Sequence, residues 1–134
     1  MGSGEANMTS TTPRDIALSY IDACSRKDFD AVRPLLAADV RFVGPSRELV
    51  GADDYIAVLR RIAPIWVRSE VRKVFCDGGD VCVIYDLVTN TAAGAVPTVE
   101  WLTVVGEKIA SVFLSFDRVT FKPASDELAL RKAG

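Results

Sequence analysis

Between Val81 and Thr89 the chain is apolar on both alternations: Val81, Val83, Tyr85 and Leu87 fall on one side of an extended segment, Cys82, Ile84 and Val88 on the other. Successive side chains of a strand point to opposite faces, so a strand of this kind needs cover on both. An open sheet with one wet face is thereby excluded for this part of the chain. Helices of the same chain can cover one face. The other requires something more, and a second copy of the chain supplies it most simply, which predicts a homodimer through the outer sheet face.

The remaining segments fit such a layered fold. Residues 71–76 run into the turn Asp77-Gly78-Gly79-Asp80, 81–89 form a long strand, and 97–105 follow the loop 90–95. Gly106-Glu107-Lys108 then turns into a last strand predicted over 109–121. Ahead of the strands the period is helical. Thr12-Pro13 gives a cap and a first-turn proline, and Ile16, Tyr20 and Cys24 with Ala17 and Ile21 make one apolar stripe. Asp28 caps a second short helix through Phe29, Val32, Leu35 and Leu36, and a β-like run over 40–43 ends at Gly44-Pro45. A third helix is predicted over 53–62, with Asp53 and Asp54 in its first turn and Arg60 and Arg61 in its last, matching the helix dipole. At 134 residues there is material for one core. The expected organisation is a disordered tail or cloning remnant over 1–11, a single domain over 12–122, and a loosely ordered tail over 123–134.

Sixteen Lys and Arg against eighteen Asp and Glu leave a net charge of -2, which argues against nucleic acid or an anionic membrane as partner. No run reaches the roughly 18 apolar residues of a spanning helix, and the N-terminus lacks the basic and apolar regions of a signal peptide, so a cytoplasmic protein is expected. The absence of histidine removes the Ser-His-Asp and Cys-His arrangements and His-containing zinc sites. Cys24, Cys76 and Cys82 have no metal-ligand spacing and read as buried reduced thiols. There is no glycine-rich phosphate loop and no dinucleotide fingerprint, so neither metal nor cofactor is expected. Chemistry, if any, falls to carboxylates, tyrosines or cysteines.

Several segments occur in a recognisable order: 17–23 (Ala-Leu-Ser-Tyr-Ile-Asp-Ala), Lys27-Asp28-Phe29-Asp30, Ala38-Asp39-Val40-Arg41-Phe42, Gly51-Ala52-Asp53-Asp54-Tyr55, Glu100-Trp101-Leu102, Gly106-Glu107-Lys108-Ile109 and Ser115-Phe116-Asp117. This order resembles the nuclear transport factor 2-like superfamily, in particular its SnoaL-like branch of polyketide cyclases, ketosteroid isomerases and limonene epoxide hydrolases. The resemblance covers residues 13–121 and implies an α+β cone, a curved mixed sheet wrapped around a pocket with three N-terminal helices. It does not fix a reaction, because the superfamily holds catalysts, binders and dimerisation modules.

Tyr20, on the apolar stripe of the first helix, resembles the oxyanion-hole tyrosine of the isomerases; the plainer alternative is a core tyrosine bonded to a backbone carbonyl. Glu100 shares its strand face with Leu102 and Val104, where an ionised carboxylate is costly unless paired, hydrated or protonated. It falls near the isomerases' acidic donor, so Tyr20 with Glu100 would form a donor pair for an enolate-like intermediate. The isomerases' catalytic aspartate aligns with Gly44, which cannot take a proton, and that argues against steroid isomerisation by the familiar route. Asp86 resembles the aspartate of the Arg-x-Asp element of the epoxide hydrolases. The arginine position there is Ile84, so Arg41 from the first strand and Asp117 would have to complete the constellation. The alternatives are a strand-end or dimer-seam residue for Asp86 and a loop-capping residue for Asp117. Phe42, Tyr55, Trp66, Trp101 and Phe116 are the expected substrate-binding wall, or else simply core. Arg60, Arg61, Arg68, Arg72 and Lys73 read as one solvated, ion-paired face. The function expected is a SnoaL-like pocket protein binding a small, mostly apolar molecule and acting on it by cofactor-free acid and base chemistry, as an epoxide hydrolase first, or an isomerase or cyclase. The alternative is a non-catalytic ligand-binding or dimerisation module. Strand parity decides whether Asp86 points inward, since a shift of one residue exchanges Asp86 for Tyr85 in the pocket.

Overall fold

Thr12 opens the first helix, α1 (Pro13–Ser25), by accepting a hydrogen bond from the Asp15 N–H at 3.1 Å, and Pro13 occupies the first turn, where its missing N–H costs nothing. This computed structural model describes residues 12–133. The buried face of α1 carries Ile16, Ala17, Tyr20, Ile21 and Cys24, the stripe read from the sequence, and packs across the sheet. Asp28 caps the one-turn helix α2 (Phe29–Val32) through the Ala31 N–H, and a 3-10 turn at Arg33–Leu35 leads into β1 (Leu36–Val43). A short strand β2 (Glu48–Val50), helix α3 (Ala52–Ile62) and a second 3-10 turn (Ala63–Ile65) follow. The chain continues through β3 (Trp66–Asp77), β4 (Asp80–Thr89), β5 (Ala95–Val105), β6 (Lys108–Phe116) and α4 (Arg118–Ala133).

The six strands form one curved sheet in the order β2-β1-β6-β5-β4-β3, antiparallel except for the β1–β6 pair. Alternation is strict where it matters. On β4, Val81, Val83, Tyr85, Leu87 and Thr89 are buried, and on β5, Val96, Thr98, Glu100, Leu102 and Val104 are. The β3–β4 hairpin depends on Gly79: a Cβ there would lie 2.6 Å from the carbonyl oxygen of Val104, whose N–H bonds back to Gly79.

Three differences from the sequence reading have physical causes. The strand predicted from residue 71 begins at Trp66, directly after the 3-10 turn Ala63–Ile65, and runs along the edge, where one ladder suffices for its exposed residues. The last strand stops at Phe116 rather than 121, because Asp117 accepts from the Val119 N–H and the Thr120 hydroxyl and so turns the chain into a helix. The tail predicted as loosely ordered is therefore helix α4, docked by Phe121 against Phe116 (centroids 4.7 Å apart), by buried Ala124, and by Arg131, which donates to the Pro64 carbonyl and the Asn90 side chain. Instead of three N-terminal helices there are four α-helices among the described residues: a full helix, a single turn, a third helix after β1 and β2, and this C-terminal one. The 1–11 tail lies outside the described residues.

The outer face carries one apolar row across five strands. Phe75 stands opposite Cys82, Cys82 opposite Trp101, Trp101 opposite Phe113, and Phe113 opposite Val43. Phe75, Trp101 and Phe113 are each about half exposed. The cysteines divide: Cys24 is buried, Cys82 half-buried and Cys76 exposed at the end of the edge strand, which corrects the reading of three buried thiols. No helix among the described residues is long and apolar enough to cross a membrane.

Candidate functional site

The inner faces of α1, α3, β4 and β5 each deliver one polar group to the same point. Glu100, 3% exposed, stands in the middle of β5 between Val83 on β4 and Leu114 on β6. The Tyr20 hydroxyl reaches it from α1 and donates to Oε2 at 2.8 Å. The Tyr85 hydroxyl donates to Oε1 at 2.7 Å. Tyr85 is paired with Thr98, two residues before Glu100, and this diagonal is within reach of an aromatic side chain. Tyr55, from α3, is bonded through its hydroxyl to that of Tyr20. Because Tyr20 spends its hydrogen on Glu100, Tyr55 is the donor in that bond. The ring of Tyr55 stacks on Phe42, with centroids 4.8 Å apart.

Burial pushes the Glu100 carboxyl above its ordinary pKa, and the phenolic hydrogens of Tyr85 and Tyr20 oppose that rise by stabilising the anion. Burial also pushes all three tyrosines well above the usual phenol range, with the Glu100 charge adding to it. The tyrosines are therefore neutral donors at any ordinary pH. The Cys24 thiol, buried beside them, is raised for the same reasons.

This cluster lines a cavity of about 1320 Å³, above the range of roughly 300–1,000 Å³ usual for small-molecule sites because it stays open at its mouth. Phe42, Leu59, Trp66, Leu87, Leu114 and Phe116 form apolar walls. The exposed lining residues at the mouth come from α4, the end of α3 and the 45–47 loop. Among the described residues no group of three Cys, Asp or Glu side chains is placed to hold a metal ion.

The structure thus brings together six of the expected site residues: Tyr20, Glu100, Phe42, Tyr55, Trp66 and Phe116. Four others it places elsewhere. Asp86 is on the outer face of β4, 3.5 Å from Arg72 across the β3–β4 ladder, because its strand puts Tyr85 inside. Arg41 alternates with inward Phe42, so it is exposed and lies 3.8 Å from Glu48 on β2. Asp117 is exposed and caps α4. Trp101 alternates with inward Glu100 and Leu102, and its indole N–H donates to Asp80 on the outer face. The Asp-Arg-Asp constellation is therefore not assembled.

Tyr85 is the residue that sequence reasoning left out of the site. Its signal was present: it shares its alternation with Val81, Val83 and Leu87, the more apolar of the two tracks, and the more apolar track faces the core. Tyr20 and Glu100 were expected as parallel donors, but the carboxylate instead accepts from two phenols. Gly44, expected from the resemblance to stand where the isomerases have their base, lines the cavity, and the ring of Phe42 lies 2.8 Å from where a Cβ would stand.

The SnoaL-like domain family matches residues 17–112. Among solved structures, a protein from Kribbella flavida DSM 17836 is 31% identical, with 93% of this chain and 100% of that one covered at a TM-score of 0.77. An NTF2-like protein of unknown function from Cytophaga hutchinsonii is 26% identical over 83% of this chain and 95% of its own, with a TM-score of 0.73. A second Kribbella flavida protein, described as a candidate ketosteroid isomerase, shares the fold at 23% identity, 78% and 77% coverage and a TM-score of 0.70. No curated protein matches the chain. The tyrosines and glutamate that meet on the inner face of the curved six-stranded sheet thus sit in a domain whose relatives are known by sequence and by shape, and the chain belongs to the SnoaL-like domain family of the NTF2-like superfamily.

Proposed function

We propose that this protein binds a small, mostly apolar carbonyl compound in the cavity inside its curved sheet and moves a proton on it, as an isomerase or cyclase does, with Glu100 as the base. The observation that carries this reading is a buried carboxylate of raised pKa that lines a large cavity and accepts two phenolic hydrogen bonds. A base poised above the ordinary carboxylate range is better matched to neutral pH than a free one. The proton leaves the carbon next to the ligand's carbonyl for a Glu100 oxygen, and the electron pair of the broken C–H bond moves toward the carbonyl oxygen. Neutralised Glu100 no longer holds both phenols, so one hydroxyl turns from the carboxyl to the developing enolate oxygen. Return of the proton at another carbon completes an isomerisation; for a ring closure the enolate carbon attacks a second carbonyl, whose π electrons move to its oxygen, and that alkoxide takes the proton back from Glu100. With Asp86 and Arg41 on the outer face, epoxide opening by a carboxylate–arginine set has no support.

The test is deuterium incorporation from D2O into the α-carbon of 2-tetralone, an aromatic ketone that suits these walls, followed by proton NMR. Wild-type protein should accelerate exchange, and Glu100→Gln should remove the acceleration. Exchange at the uncatalysed rate with wild-type protein, or unaffected by Glu100→Gln, overturns the catalytic reading and favours a binding module of the same fold.

The outer face is proposed to close on a second copy of the chain. The row Phe75, Cys82, Trp101, Phe113 and Val43 crosses five strands, roughly 20 Å at the usual strand spacing, with three large side chains half exposed. A two-fold pairing of this row with itself would bury an apolar centre of the kind a stable homodimer needs.

A further inference from the structure

The charges around the cavity are distributed unlike those of the rest of the molecule. The chain carries a net charge of -2, yet six of its sixteen basic residues line this one cavity: Arg47, Arg60, Arg61, Arg118, Lys122 and Arg131. Among the described residues only two acids line it with them, Glu100 in the interior and Asp126 at the mouth. Lys122 is held by Asp126 at 3.0 Å and Arg131 by Glu127 at 3.1 Å. Arg60 lies over the ring of Phe29. Arg47, Arg61 and Arg118 make no ion pair or side-chain hydrogen bond among the described residues, whereas five of the six arginines elsewhere have a carboxylate within reach. The basic cluster read from sequence as one ion-paired face is therefore two: Arg68 and Arg72 are paired on β3, while Arg60 and Arg61 stand at the cavity.

Helix electrostatics accounts for Arg60 and Arg61, which sit in the last turn of α3 at its negative end. It does not account for Arg118, which opens α4 at the end where a cation is disfavoured, nor for Arg47, which belongs to a loop. Three separate elements converge their unpaired guanidinium groups on one opening, and an anion bound there would relieve that convergence. Guanidinium forks are suited to oxyanions, which they bind with directed, charge-assisted hydrogen bonds.

We propose that the ligand of this cavity is an apolar ring system bearing an oxyanion, a carboxylate or its like, seated with the anion among Arg47, Arg61 and Arg118 and the uncharged end at Glu100. This inference rests on reading the cavity as the ligand site. The two ends have opposite character, so charge alone fixes the direction of entry. An anion is attracted to the mouth and repelled by the Glu100 carboxylate, which presents the neutral, reactive part of the ligand to the base.

A matched pair of fluorescent probes tests this: 8-anilinonaphthalene-1-sulfonate and N-phenyl-1-naphthylamine, the same aromatic body with and without an oxyanion. In fluorescence titrations at low ionic strength the sulfonate should bind at least about tenfold more tightly than the neutral probe. That advantage should shrink with added sodium chloride. It should shrink also in the Arg61→Gln/Arg118→Gln double variant, whose affinity for the neutral probe is unchanged. Val58→Trp, at a half-buried wall position on α3, and Leu114→Trp should each weaken both probes, which locates them inside the cavity and not on the outer face. Equal wild-type affinities for the two probes, with both lost in the tryptophan variants, overturn the oxyanion inference and leave the cavity reading standing. Failure of both probes to bind, or binding indifferent to both tryptophan variants, overturns the two together.

Discussion

Glu100 concentrates the energetics of the site in a single carboxyl group. A carboxylate buried without partners would be far too costly to keep, and its two phenolic donors are what make the position tolerable. Its pKa is raised by folding, so the folded state holds the proton more tightly than the unfolded chain does. The stabilisation from this group is then complete below its ordinary value of 4.5 and is lost as pH rises from there through its raised value. Thermal unfolding should show a wild-type stability that declines with pH across that window relative to Glu100→Gln, whose amide does not titrate; parallel curves would show the shift to be absent. Tyr85→Phe removes a donor that lowers the Glu100 pKa, so the lower limb of a pH–rate profile should move to higher pH. The same substitution should cost about 1–3 kcal/mol of stability, measured by urea denaturation. Tyr20 and Glu100 were legible from sequence because each is a polar group on an otherwise apolar face. Their hydrogen-bond direction was not, since it depends on Tyr85 and Tyr55 reaching the same point from two other elements.

At the level of elements, helix starts with a local cap ahead of the sheet were read well, while strand ends and the C-terminal helix were not. The caps at Thr12 and Asp28 are local signals, made by side chains that bond to backbone within three residues, and both are present as read. The end of the last strand was misplaced by five residues because 117–121 have the apolar content of a strand, and only the capping bonds of Asp117 show that the chain turns there. Those bonds also hold the Asp117 carboxyl below the usual carboxylate range. Asp117→Ala should therefore release the first turn of α4. Amide hydrogen exchange at Val119 and Phe121 should speed up, while the β5 amides around Glu100 keep their protection; unchanged exchange at Val119 would remove the capping role. Since Arg118 begins that turn, the orientation of one mouth arginine depends on this cap.

For the whole molecule the deciding quantity is strand parity. The apolar row of the outer face and the tyrosine–glutamate cluster of the inner face belong to the same strands, separated only by alternation: Trp101 follows Glu100, and Asp86 follows Tyr85. If the outer row pairs two copies, Trp101→Lys should convert a dimer to a monomer in light scattering while leaving the Glu100 cluster and probe binding intact. A wild-type monomer would dispose of that pairing. What the sequence by itself determined is what depends on neighbours along the chain: the helical stripe of α1, the caps, the glycine turns, the two-sided apolarity that demands a layered sheet, and a family order long enough to identify. What only the tertiary structure decided is which of two alternating faces turns inward, and which groups from distant elements meet there. Alternation gives two equally regular answers for any strand, and the choice is made by packing against α1 and α3, which joins residues up to 80 positions apart, as Tyr20 and Glu100 are, into one hydrogen-bonded site.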